Sequence, residues 1–266
     1  MTYTPNTLVP TEFQMAYYGQ IGGKVAKVYR VMGSRNQGWT STTAFGDACE
    51  YLDNTQALMN TPTTGQTLYL RSSSASDDAA GTGVRTVRIV YLDAAGVQQV
   101  RTDTLTGTTP VSIGTGYSFI QWMESETVGT AGVAAGTISL SSTNGVPTVA
   151  TTFDQIAIGG GRSLSGRYRI PTAHSGYMIL WAANAINNTM DVRLRADVFA
   201  DDRTTLANGA YHFQDRIFLG ANANDDASGG WLKYPAGSTI KIAAIPGATA
   251  AANRLDCDML IAVVAD

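Results

Sequence analysis

The side chains best suited to proton transfer are scarce in this chain, which contains only two histidines. His212 stands between Tyr211 and Phe213 in a segment that alternates like a β-strand, with Asp215 three residues further on. In a strand, residues 212 and 215 point to opposite faces, so they cannot act as a pair. His174, in PTAHSG, lies in a sequence typical of a turn. We therefore interpret both histidines as structural and expect no catalytic residues among them.

Adjacent carboxylates are the next group that could do chemistry, and they occur at Asp77–Asp78, Asp201–Asp202 and Asp225–Asp226. All three pairs stand among turn-forming residues. The third pair, in NANDDASGG, offers enough oxygen ligands for a weak Ca²⁺ site but lacks the spacing and final Glu of a dedicated calcium loop. A solvated turn is the favoured interpretation. No pair is singled out for glycoside hydrolysis, which needs two acids about 5–10 Å apart.

Signatures of metal and phosphate sites are also lacking. Cys49 and Cys257 are far apart and have no CxxC or Cys/His spacing suited to zinc. We expect two reduced, buried thiols, with a disulfide between them as the alternative. The segment GGGRSLSG at residues 159–166 is not followed by a helix whose N-terminus could hold a phosphate. The sequence therefore predicts neither a metal nor a cofactor.

The four tryptophans raise the question of carbohydrate binding, because an exposed aromatic ring can stack on a sugar. Trp122 and Trp181 lie in predicted strands and are expected in the interior. Trp231 follows Gly229–Gly230 in a predicted loop. It is the candidate for contact with a host glycan.

Composition excludes several classes of protein. The chain has 266 residues, a formal charge of -3, 15% charged residues and 44% hydrophobic residues, which is unlike a disordered protein. A pI near 5.3 argues against a basic nucleic-acid-binding surface. No stretch approaches the roughly 18 apolar residues that a membrane helix needs, and the N-terminus does not read as a secretory signal. We expect no nucleic-acid partner and no membrane partner.

Lysine is rare, and most of the positive charge is therefore arginine. The four lysines are Lys24, Lys27, Lys233 and Lys241. A surface poor in lysine is consistent with one that faces other protein, and drift in composition is an equally good explanation.

Short alternating apolar segments separated by Gly, Ser, Thr, Asn and Asp predict an all-β fold. Proline-bearing residues 1–23 are expected to form an extended N-terminal arm. An N-terminal β domain at 24–158 and a Gly-rich linker at 159–166 follow. Residues 167–266 are expected to form a C-terminal β-sandwich with jelly-roll-like spacing. Within the first β domain, residues 43–60 fit either a helix or a loop with one helical turn.

One segment carries a family resemblance. Residues 27–111 include SSSASDDAAGTGVRTVRIVYLDAAG and TLTGTTPV. This segment resembles virion structural proteins of tailed bacteriophages, common in marine and cyanobacterial phages, whose pattern has an SSS…D…AGTGARTV loop and strand, a GLD hairpin and a TLNGTTPV return. The departures from that pattern are Val84 for Ala, Tyr91 for Gly and Thr106 for Asn. The segment makes up about a third of the chain.

Within this motif, the residue types suggest scaffolding. Gly83 and Gly96 are expected to permit tight backbone turns. Arg85, at the start of a strand, is expected to anchor the acidic loop through Asp77 or Asp78 by a charge-assisted hydrogen bond.

The resemblance implies a capsid-surface or tail component that forms homo-oligomers and is not an enzyme. The expected function is a homotrimeric capsid decoration (cement) protein that binds the outer surface of the major capsid lattice. The alternative is a tail, neck or fibre component with a β-sandwich that binds host glycan. The expected partners are other copies of the chain and the major capsid protein or other virion proteins. The expected location is the virion, after synthesis in the host cytoplasm.

Overall fold

The structure is a computed structural model that describes residues 20–21, 24–35, 50–51, 60–197, 212–228, 233–248 and 253–266. Within these ranges the chain forms β-strands and a single 3-10 turn at Val149–Thr151. The strands are β1 (Gln20–Ile21), β2 (Lys24–Val25), β3 (Lys27–Arg35), β4 (Glu50–Tyr51), β5 (Leu68–Ser72), β6 (Val84–Asp93), β7 (Gln98–Thr104), β8 (Val111–Gly114), β9 (Tyr117–Val128), β10 (Ile138–Ser141), β11 (Thr152–Ile156), β12 (Arg167–Arg169), β13 (His174–Ile186), β14 (Met190–Asp197), β15 (His212–Leu219), β16 (Asn224–Ser228), β17 (Lys233–Tyr234), β18 (Thr239–Pro246) and β19 (Arg254–Ala265). The prediction of an all-β fold is confirmed. The described ranges contain no helix that is long and apolar enough to cross a membrane.

Alternation of apolar and polar side chains explains why these segments form strands. In β19, Leu255, Cys257 and Met259 are buried, whereas Asp256 and Asp258 between them are partly exposed. This alternation gives β19 one apolar face. A period of two places one set of side chains against the core and the other set toward solvent.

The chain divides into two compact units. The central unit comprises the described residues within 33–35 and 51–165, and the terminal unit comprises the described residues within 1–32, 36–50 and 166–266. Residues 24–32, which the sequence places in the N-terminal β domain, thus belong to the terminal unit. The physical reason is that β3 lies beside β19 in one sheet, a pairing between distant segments that local patterns cannot indicate.

Residues 159–166, expected to be a linker, are hydrogen-bonded into the central unit up to Ser165. Gly159 N–H donates to Ala134 O over 2.8 Å, and Ala134 N–H donates to Gly160 O over 3.0 Å. Ser163 N–H donates to Met123 O over 2.9 Å. The backbone groups of these glycines form hydrogen bonds with neighbouring segments, so residues 159–165 belong to the fold of the central unit.

The central unit contains a four-stranded sheet, in the order β11-β10-β5-β8, and a three-stranded sheet, in the order β7-β6-β9. All of these pairings are antiparallel. Apolar side chains from both sheets form one buried cluster, to which Leu70 and Leu140 contribute from the larger sheet and Ile89 and Met123 from the smaller. This shared core holds the two sheets together.

The terminal unit contains two further antiparallel sheets. In one the order is β12-β18-β14-β15, with β4 also pairing β18, and in the other it is β16-β13-β19-β3, with β17 also pairing β13. The long β13–β19 ladder runs from His174 opposite Ala265 to Ile186 opposite Arg254. Trp181 and Met259, which face each other in this ladder, are fully buried.

Two expectations from the sequence fall mostly outside the described residues. Of the predicted arm at 1–23, only Gln20–Ile21 is described, and this pair forms a short ladder with Lys24–Val25. Of the segment at 43–60, only residues 50–51 and 60 are described, and the first two form β4.

Replacing Leu140 by Ala tests the core of the central unit. Leu140 is fully buried in β10, so we expect the free energy of unfolding to fall by about 2–5 kcal/mol. Urea unfolding followed by the fluorescence of Trp122 in β9 measures it. Val146→Ala is the matched control, because Val146 is 73% exposed, and it should change stability by less than about 0.5 kcal/mol. Equal losses in the two variants would contradict this core.

Candidate functional site

The loop between β5 and β6 holds the acidic residues that the sequence singles out. Asp77 is fully buried there. Its Oδ1 accepts hydrogen bonds from the backbone N–H groups of Val84, over 2.8 Å, and Ala135, over 2.9 Å. Its Oδ2 accepts from Ser72 Oγ over 2.6 Å and from Gly136 N–H over 2.9 Å. A carboxylate can be buried when donors of this kind replace its water. We call these five residues the Asp77 cluster.

Glycines surround the Asp77 cluster because the backbone approaches too closely for side chains. A Cβ on Gly83 would lie 2.0 Å from Asp77 Oδ1. A Cβ on Gly136 would lie 2.6 Å from Ser74 N, and one on Gly129 would lie 2.2 Å from Gly81 O. Gly83 was expected to permit a tight turn, whereas its function here is to leave space for the carboxylate. Gly96, with a φ of 77°, does occupy the predicted position in the hairpin between β6 and β7.

Arg85 holds the acidic loop in a different way from the one expected. Its Nε donates to the backbone oxygen of Gly81 over 3.1 Å, with no ion pair to Asp77 or Asp78 among the described contacts. The oxygens of Asp77 are already occupied by other donors. Asp78 Oδ1 accepts instead from Ala80 N–H over 2.8 Å, which closes a local turn. The guanidinium therefore fixes the loop through a carbonyl group.

A polar cleft lies in the terminal unit, on the sheet formed by β16, β13, β19 and β3. Its volume is about 550 Å³. Asn224, Asn184 and Asp256 lie opposite one another on adjacent strands and form a row across its wall. Arg30 Nε donates to Asp258 Oδ2 over 2.5 Å at the same cleft. This contact raises the pKa of Arg30, chiefly through the hydrogen bond to Asp258.

The cleft is lined by amide and carboxylate groups together with the Arg30 guanidinium. Amide and carboxylate groups both offer acceptors, and the amides also offer donors, which is the combination that recognises hydroxyl groups. In the part of the chain that the structure describes, no group of three or more His, Cys, Asp or Glu side chains is placed to hold a metal ion. Sequence reasoning missed the cleft because its row of polar residues depends on the register between three strands.

The other residues singled out by the sequence are dispersed. His174 begins β13, and its Nδ1 lies 2.8 Å from Thr172 O, whereas His212 begins β15. Trp122 and Trp181 are buried, as predicted. Trp231, the candidate for glycan contact, lies outside the described residues.

Two further expectations concern the acidic pair in the segment NANDDASGG and the two cysteines. Asp225–Asp226, expected in a turn, lies in β16 and pairs with Ala182 and Ala183 of β13. The strand was missed because its sequence, NDDAS, is polar and typical of turns. Cys257 is buried, and Cys49 lies outside the described residues.

Comparison with known proteins identifies no family. No family model matches the chain, and no curated protein matches it. Among solved structures, a CBM22-1-CBM22-2 tandem domain from Paenibacillus barcinonensis Xyn10C aligns at 12% identity, over 93% of this chain and 95% of that one, with a TM-score of 0.24. An infectious bursal disease virus Gt strain structure aligns at 10% identity, over 97% and 76%, with a TM-score of 0.23. Scores this low establish no common fold and transfer no function.

Replacing Asp77 tests the structural importance of its cluster. Asp77→Ala leaves one hydroxyl and three backbone N–H groups without their acceptor, so we expect the free energy of unfolding to fall by at least about 3 kcal/mol. Asp77→Asn, similar in shape, should cost less than Asp77→Ala but still more than about 1 kcal/mol, because one acceptor becomes a donor.

Asp78→Ala is the matched control for these variants, since the Asp78 side chain accepts a local hydrogen bond from Ala80 N–H and is not fully buried. It should cost about 1 kcal/mol or less. Urea unfolding measures all three free energies. If Asp77→Ala is no worse than Asp78→Ala, the buried carboxylate does not hold this loop.

Proposed function

We propose that the protein is a virion structural protein of a tailed bacteriophage. It acts as a homotrimeric capsid decoration protein that binds the outer surface of the major capsid lattice. It acts by binding alone and catalyses no reaction. The resemblance of residues 27–111 to virion structural proteins supports this proposal. The structural role of the residues in that segment supports it further.

The observation that carries the proposal is the Asp77 cluster. The residues of the motif that could have done chemistry, namely the carboxylate and its neighbouring serine, are occupied by internal hydrogen bonds. The glycines of the motif leave space for these contacts. A motif used in this way stabilises a rigid surface. A rigid surface is what a protein needs if it must match a regular shell.

Symmetry and surface chemistry suggest the partners. A capsid lattice offers three-fold sites, and a cyclic trimer matches them without leaving unpaired contacts. Arginine provides most of the positive charge, and its planar guanidinium suits interfaces between proteins. The proline-bearing arm at 1–23 is the segment that we assign to the grip on the major capsid protein.

Deleting residues 1–23 tests the attachment of the arm to the capsid. We expect the truncated protein to bind purified, undecorated phage heads at least tenfold more weakly, because its main contact is gone. Co-sedimentation with heads measures the binding. The unfolding midpoint should remain close to that of the full chain, because both described core clusters consist of residues from position 26 onward.

The full-length chain and Val146→Ala are the controls in this experiment. Equal binding by the truncated and full-length proteins would show that the arm is not the attachment segment. If the full-length chain does not bind heads at all, the proposal of a decoration protein is wrong.

The polar cleft favours a second candidate, a tail, neck or fibre component that binds host glycan. Its row of Asn224, Asn184 and Asp256 presents acceptors and donors suited to sugar hydroxyls. Copy number separates the two candidates. A decoration protein is present in hundreds of copies per virion, and a tail or neck component in three to a few dozen.

Replacing Asn184 by Ala tests this second candidate. If the cleft binds glycan, the variant should bind host-surface glycans about 2–10-fold more weakly, the equivalent of one or two lost hydrogen bonds. Glycan-array binding followed by calorimetry measures the change. Asn144→Ala, in an exposed loop of the central unit, is the matched control. A loss in Trp231→Ala but not in Asn184→Ala would place the site at residue 231, and absence of any glycan binding would eliminate this candidate.

A further inference from the structure

Strand β7 lies at the edge of its sheet. Among the described residues it pairs only with β6, and that ladder runs without a register shift from Thr86 opposite Thr104 to Leu92 opposite Gln98. The ladder between β6 and β9, by contrast, contains several shifts. The β7 edge is thus a regular strand of seven residues.

Two hydrogen bonds reveal which backbone groups of β7 point away from β6. Asp93 N–H donates to Val97 O, and Leu105 N–H donates to Arg85 O. Hydrogen-bonded and non-hydrogen-bonded pairs alternate along an antiparallel ladder, so the odd-numbered residues of β7 direct their N–H and C=O groups toward β6. The backbone groups of Val100, Thr102 and Thr104 therefore point outward.

This edge lacks the usual protection against pairing with another strand. Exposed edges are commonly blocked by lysine, proline, a bulge or a very short strand. The sequence of β7, QQVRTDT, contains no lysine and no proline, its two charged side chains, Arg101 and Asp103, pair with each other, and its ladder with β6 has no bulge. Val100 is 52% exposed. An edge of this kind can accept another strand.

We propose that β7 pairs with β7 of a second copy of this chain, antiparallel and about a two-fold axis at Thr102. Thr102 then faces its own counterpart, and Val100 faces Thr104 of the other copy. Each of these pairs has outward-pointing backbone groups on both sides, so each can exchange two hydrogen bonds. A self-complementary contact of this type forms a closed dimer.

Charge selects this register. Arg101 and Asp103 lie on the same face of β7, where Arg101 Nη2 lies 2.5 Å from Asp103 Oδ1. Centring on Thr102 places each Arg101 opposite the Asp103 of the other copy, and opposite charges across strands attract. Centring on Arg101 or Asp103 would place like charges face to face. Centring on Val100 would leave both charges opposite uncharged residues.

The proposal does not depend on the proposed function, since a two-fold contact is distinct from the three-fold contact of a trimer. Used together, the two contacts would link one trimer to the next over a shell. Binding of the protein to phage heads does not test the β7 contact, and dimerisation through β7 does not test binding to heads.

Thr102→Cys tests the register directly. In a hydrogen-bonded antiparallel pair the Cα atoms are about 5.5 Å apart, which is within reach of a disulfide. We expect a covalent dimer on mild oxidation, seen by non-reducing electrophoresis and mass spectrometry. Thr104→Cys is the matched control, because its counterpart would lie about 13 Å away along the strands and should not cross-link. The unaltered chain controls for Cys49 and Cys257.

Cross-linking of Thr104→Cys as readily as Thr102→Cys, or of neither, would overturn the proposal. A second variant, Thr102→Pro, removes an outward N–H group without disturbing the ladder to β6. Analytical ultracentrifugation should show loss of the two-fold association in this variant, with the unfolding midpoint lowered by no more than the loss of the exposed hydrogen bond from Thr102 Oγ1 to Glu126 explains. Association that persists in Thr102→Pro, or an unaltered chain that is a monomer at tens of micromolar, would also overturn the proposal.

Discussion

The central unit depends on one buried carboxylate. Asp77 joins the end of β5, the start of β6 and the segment before β10 through four hydrogen bonds to a single side chain. Burying this charge would be costly without those donors, and the donors would be unsatisfied without the charge. Each therefore requires the other. The glycines around Asp77 are a consequence, because any side chain at Gly83 would occupy the place of the carboxylate.

This constraint explains a sequence motif that could be mistaken for a reactive loop. Serines, aspartates and glycines close together are also typical of phosphate cradles and catalytic turns. Here the loop contains no helix, and Ser72 Oγ donates its hydrogen to the buried carboxylate. The motif builds a hydrogen-bonded corner between two sheets.

Much of the fold could be predicted from the sequence, because period-two alternation is a local signal. Strands such as β14 and β19 carry this pattern in their sequences, and the prediction of an all-β fold rests on patterns of this kind. What was missed depends on long-range pairing. The polar strand β16 has no alternation of its own and is set by its partner β13, and β3 belongs with β19 although they stand at opposite ends of the chain.

The candidate site residues likewise divide into those that a local pattern indicates and those that depend on contacts between distant segments. The acidic loop was predicted to be anchored by Arg85 through Asp77 or Asp78, whereas the donors to Asp77 come partly from Ala135 and Gly136, more than fifty residues away. No local pattern shows that approach. The partner predicted for Arg85 was wrong for the same reason. The Asp77 carboxylate already accepts hydrogen bonds from groups that are distant in the sequence.

A cryo-electron microscopy reconstruction of the purified virion tests the central claim most directly, namely that this chain is a structural unit that assembles on a capsid. The account predicts all-β density the size of the two units on the outside of the head, repeated in hundreds of copies at three-fold sites. A virion whose head carries no such density would contradict it.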